Sequence, residues 1–66
     1  MSLDKRHTEK NILFDLLRAQ ALNPALAEFR EFGDVVYQLI ATMEPEDVEL
    51  VEKRVAEYIQ KYQPNN

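Results

Sequence analysis

Apolar side chains recur along the later part of this chain at alternating steps of three and four residues. The first series runs Leu26, Phe29, Val36, Ile40 and Met43, with Gly33 in phase between them; the second runs Val48, Val51, Val55, Tyr58 and Tyr62. The mean step of about 3.5 residues is the period that keeps one helix face against a partner helix. Earlier in the chain, Ile12, Leu13, Phe14, Leu16 and Leu17 crowd together with only Asp15 between them. A helix apolar on more than one side is either the central element of a bundle or is covered by a second chain. That segment is therefore expected to be the heart of the core, with Leu17 and Ile40 among the buried positions.

Polar punctuation divides the pattern into three helices. The first is read near 8–22, starting between the capable N-caps Ser2 and Thr8. Asn23-Pro24 ends it, because the residue before proline avoids the α region. The same pair opens a second helix, read over 24–43, since proline is favoured at a first helical position. With almost no linker left, the junction reads as a corner, not a tight hairpin.

Gly33-Asp34 is the weak point of the second helix. The apolar register passes through it without a slip, so a continuous helix is expected, with Gly33 marking a close approach by another helix. Phe32 and Leu39 widen its apolar face. Glu44-Pro45 repeats the punctuation, and Glu46 and Asp47 then set negative charge at the positive end of a third helix, read over 45–62. Lys61 lies at the favourable end for a cation, and 63–66 reads as a frayed tail. The expected fold is all-α: one helical domain over 1–66, a small three-helix bundle or helical array.

Size bears on how that bundle is completed. A chain of 66 residues buries only about 60% of the surface its unfolded form exposes, so its core is marginal. With no cysteine and one histidine, neither disulfides nor thiolate or multi-histidine metal sites can reinforce it. Homo-oligomerisation, a dimer in the simplest case, or docking onto another protein is the remaining device, unless unusually good helix packing suffices in a monomer. An apolar content of 45% is in the globular range and argues against disorder.

Charge narrows the partners. Residues 1–18 carry Lys5, Arg6, Lys10 and Arg18 against three acids, whereas residues 19–66 carry four bases against nine acids, for a net charge of −4. An acidic chain repels phosphates unless a basic patch overrides the field, which argues against nucleic acid as a partner. The stretch 34–43 contains no Lys or Arg and so cannot serve as a recognition helix. No apolar run approaches the roughly 20 residues of a membrane span, and no signal-peptide core stands at the N-terminus. A small acidic cytoplasmic protein is the expectation.

Candidate chemistry is sparse. The acidic run Glu44, Glu46, Asp47, Glu49 and Glu52 lacks the glycine bend of a calcium loop and reads as a dipole-matched first turn on a solvated helix face. His7 sits beside Lys5 and Arg6 with no nucleophile presented to it, so no general base is assigned. One glycine cannot build a phosphate-cradling loop. No catalytic residue, cofactor site, metal site or small-molecule substrate is assigned, and the chain is read as no enzyme.

Aromatics at helical spacing belong to a core or an interface, and interface energy concentrates in aromatics and arginines. Phe32, Tyr58 and Tyr62, with Arg30 and Arg54 as polar anchors, are the interface candidates. The reading is a non-enzymatic protein–protein interaction or small regulatory module that associates with itself, and with another protein in addition. The alternative is a regulator of nucleic acid transactions, acting through its N-terminal bases or by sequestering a basic protein with its acidic third helix.

Overall fold

The architecture is that of a computed structural model, which describes the backbone of residues 2–62 and side chains from Lys5 to Tyr62. It is all-α. Three helices, α1 (Ser2–Leu22), α2 (Arg30–Thr42) and α3 (Pro45–Tyr62), are joined by a 3-10 turn over Pro24–Glu28 and by the pair Met43-Glu44. The tail read over 63–66 lies outside the described residues.

α1 is the middle helix, in contact with both α3 and α2. Arg6 meets Asp47 and Phe14 meets Tyr58, so residue numbers advance together and α1 and α3 run parallel. α2 leaves the far end of α1 and delivers the chain to the start of α3, running back along α1 between them. This placement explains the all-round apolar character of α1, which must serve two neighbours. It also explains an α1 that begins earlier than residue 8: its first turns are held against α3 by Arg6.

Among the described residues four apolar side chains are buried: Leu13 at the centre of α1, Met43 at the α2–α3 junction, and Val51 and Val55 on α3, with Leu13 and Val51 fully enclosed. Phe14, Leu17, Val36, Leu39, Ile40, Val48 and Ile59 pack around them, partly buried. The crowded segment of α1 thus supplies the core, but through Leu13. Leu17 and Ile40, expected to be buried, are half-buried, because α2 covers α1 from one side without reaching far over α3. α2 buries none of its side chains completely.

The second predicted helix is corrected at its N-terminal half. Asn23 N–H donates to the Ala19 carbonyl at 2.9 Å and closes α1; Leu26 N–H then donates to the Asn23 carbonyl at 3.0 Å, starting a 3-10 turn. Phe29 is extended at φ −85° and ψ 120°, and its carbonyl accepts the Gly33 N–H at 3.1 Å to begin α2. The break falls at Phe29, four residues before the glycine. A continuous helix from Pro24 would carry the chain away from α1, whereas the 3-10 turn reverses it. The break gives up the register of the first apolar series, leaving Leu26 half-buried and Phe29 61% exposed.

Gly33 is therefore an ordinary helical position, and the predicted close approach there is absent: a Cβ added at Gly33 would meet nothing within 4 Å. Gly33→Ala should raise stability by about 0.5–1 kcal/mol through helix propensity alone. A higher denaturation midpoint checks this, and a lower one would reveal a contact from outside the protomer.

The start of α3 matches the reading of Glu44-Pro45. Asp47 N–H and Val48 N–H both donate to the Glu44 carbonyl, at 2.9 and 3.1 Å, and Glu46 and Asp47 lie in the first turn. Asp47 departs from the expected solvated face. It is 7% exposed and accepts two hydrogen bonds on Oδ2 from Arg6, from Nε at 3.0 Å and Nη2 at 2.9 Å. Glu46 lies 3.6 Å from the same guanidinium. The hydrogen bonds and charge of Asp47 hold the Arg6 pKa above its ordinary value.

Candidate interaction surface

Helical spacing alone assembles the first feature of the surface. Tyr58 and Tyr62, one turn apart on α3, stack with centroids 4.6 Å apart and planes tilted by 42°. Phe14 of α1 meets the Tyr58 ring edge-on, at 6.0 Å and 85°, within the favoured range for aromatic pairs. Arg18, one turn after Phe14, sets its guanidinium 5.8 Å from the Phe14 ring and 5.6 Å from that of Tyr58. Arg54, one turn before Tyr58, reaches over Phe14 at 5.4 Å, and the Lys61 ammonium lies 5.5 Å from the Tyr62 ring.

Each such cation–ring contact at a partly exposed site is worth about 0.5–1 kcal/mol. The cluster thus joins α1 to α3 beyond the last buried valine. Arg18 Nη2 also lies 3.4 Å from Asp15 Oδ1, while its Nε is covered without a hydrogen-bond partner. The arginines here are spent on the chain's own rings.

Of the five interface candidates, the structure brings Tyr58, Tyr62 and Arg54 together. Phe32 is half-buried on α2 and Arg30 is exposed at its first residue; neither joins the cluster. Tyr58 is half-buried and works within the protomer, whereas Tyr62 is 58% exposed. Tyr58→Ala should therefore cost about 1–3 kcal/mol in chemical denaturation, and Tyr62→Ala no more than about 0.5 kcal/mol.

Phe14 and Arg18, absent from the sequence candidates, complete the group. Their signal was the one-turn spacing Phe14–Arg18 mirrored by Arg54–Tyr58. Arg6 and Asp47 were likewise missed as a pair, although Arg6 stands seven residues before Leu13 and Asp47 four before Val51, each in phase with a core position.

Two open grooves complete the surface. One, about 550 Å³, lies between α1 and α2 and is lined by Ile12, Asp34, Val35, Gln38, Leu39 and Thr42. The other, about 480 Å³, lies where the 3-10 turn meets α1 and α3, between Leu17, Ala21, Pro24, Ala27 and Val55. Both are mainly apolar, and neither converges polar groups on a point where a small ligand's reacting atom could be held.

His7 is exposed near the start of α1. Among the described residues no three His, Cys, Asp or Glu side chains are grouped to hold a metal ion, and no helix is long and apolar enough to cross a membrane. The chain matches no known protein family, no curated protein and no solved structure, so its functional reading stands on its own residues.

Proposed function

We propose that this chain is a non-enzymatic protein–protein interaction module whose working parts are helix faces. One observation carries the reading: an amphipathic helix, α2, that buries none of its side chains fully, on a scaffold with four buried apolar residues. Ile12, Phe29, Val35, Tyr37, Leu50 and Tyr62 remain 44–74% exposed. Of these, Ile12 and Val35 line one groove between α1 and α2, and a contiguous exposed apolar patch marks a surface that meets other proteins.

The arginines argue in the same direction. Arg6 is paired with Asp47, and Arg18 lies against Phe14 and Tyr58, so two of the four N-terminal bases are engaged within the chain. Replacing Phe29, Leu50 and Tyr62 singly with Ser should leave helical circular dichroism in place, because all three are exposed. At least one of them should weaken self-association or the binding of a partner. His7→Ala should leave both unchanged. Loss of a cellular phenotype in His7→Ala with association intact would overturn the reading and direct attention to the start of α1.

A further inference from the structure

We infer that the ring cluster at the far end of α1 and α3 receives an acidic segment of a partner protein. A carboxylate of that segment seats on Arg18 and Arg54, with an apolar neighbour against Tyr62. The inference rests on the interaction reading above and names the site and the partner's chemistry. Charge is segregated along α3. Residues 45–52 carry Glu46, Asp47, Glu49 and Glu52 and no base, whereas residues 53–62 carry Lys53, Arg54 and Lys61 against Glu57. Because α1 runs parallel to α3, Arg18 arrives at the same end, against Tyr58. A chain of net charge −4 thus gathers cations at one end of one helix pair.

Three of those cations are held in place without being neutralised. Arg18, Arg54 and Lys61 lie 5.4–5.8 Å from the rings of Phe14, Tyr58 and Tyr62. A ring face orients a cation but accepts none of its N–H groups as a carboxylate would. Among the described residues, no carboxylate is paired with Arg54 or Lys61. Arg18 is weakly satisfied: its 3.4 Å contact with Asp15 is long for a charged hydrogen bond, and its Nε is covered with no partner. The Arg18 side chain is 37% exposed, and Arg54, Lys61 and Tyr62 are exposed, so the cluster faces solvent.

Rings beside arginines are the composition of an interface hot spot, and the guanidinium fork matches a carboxylate. Two acids stand at the edges of the patch. Asp15 lies one turn from Arg18, and Glu57 one turn from both Arg54 and Lys61. They leave a positive excess at the centre and repel a continuous run of phosphates laid across it. A peptide carboxylate, a single charge on an otherwise neutral backbone, avoids that repulsion. An acidic protein segment is therefore favoured over a nucleic acid strand.

Fluorescence anisotropy of the full chain with labelled probes tests the inference. The probe is a peptide alternating Glu with Leu and Phe; its counterparts are the same peptide with Lys for Glu and an oligothymidylate. The Glu peptide should bind, more weakly as salt rises. Arg54→Gln should weaken binding about tenfold, and Lys61→Gln should weaken it too, with helical circular dichroism unchanged because both residues are exposed. Glu57→Gln removes the repelling acid and should tighten binding, a gain that damage to the fold would not produce. Lys5→Gln, at the other end of α1, should change nothing. An equal loss in Lys5→Gln, a preference for the Lys peptide or no binding of the Glu peptide overturns the inference. Oligothymidylate bound through Arg54 and Tyr62 overturns it in favour of nucleic acid. A chain that dimerises and loses the dimer on Lys61→Gln places its own acidic helix start on the patch and overturns an outside partner. Where the peptide fails to bind, weakened association in Phe29→Ser or Leu50→Ser still upholds the interaction reading.

Discussion

Leu13→Ala should leave the chain largely unfolded at 25 °C. Leu13 is fully buried and, among the described residues, is the one such side chain on α1, the helix to which both others attach. Truncating a buried leucine costs about 3–5 kcal/mol, from lost transfer energy and from the cavity left behind. A core in a chain this small rarely supplies more than about 3–5 kcal/mol of net stability. The loss therefore equals the whole reserve. Far-UV circular dichroism of Leu13→Ala, against wild type at equal concentration, is the measurement. A variant that keeps its helix content and a cooperative thermal transition would show that the centre of the core lies elsewhere.

The second large effect is an asymmetry. Arg6→Leu should lower the thermal midpoint more than the double variant Arg6→Leu with Asp47→Leu. Removing the arginine leaves the Asp47 carboxylate, 7% exposed, without the two hydrogen bonds that hold it. Removing both partners leaves apolar volume beside Val48 and Val51 and no orphaned charge. Breaking one half of a buried pair is generally costlier than replacing the pair with well-packed apolar groups. Arg6 is itself half exposed at 49%, so water relieves part of the loss in the single variant. The order of midpoints, with the double variant above Arg6→Leu, is the result to look for. The reverse order would make the pair a net stabiliser through its charges.

Helix class, the α3 start at Pro45 and the crowding of α1 were all legible from spacing and punctuation. Those signals are local: proline at a first helical position and acids in a first turn act within a few residues. The break at Phe29 was not legible. The apolar register favoured continuity, and the reversal of direction that α2 needs is a demand of the whole fold. Burial was hidden for a related reason. Leu13, Leu16 and Leu17 look alike in sequence, and only the positions of α2 and α3 decide which one is enclosed. For the surface, aromatic and arginine content pointed to Tyr58, Tyr62 and Arg54. It could not show that Phe14 and Arg18 of a distant segment complete their cluster, since parallel packing of α1 on α3 sets that register.

That parallel packing also dictates an order of assembly. The contacts that enclose Leu13 join helices whose paired residues, such as Arg6 and Asp47, are 41 apart in sequence. α2, the nearer neighbour in sequence, has no fully buried residue with which to hold a hairpin against α1. A loop of some forty residues must close before Leu13 and Val51 are fully enclosed, which raises contact order and slows folding relative to bundles built from sequential hairpins. During synthesis, the chain completes its centre only after α3 has emerged, because Val51 and Val55, two of its four buried apolar side chains among the described residues, lie on that helix.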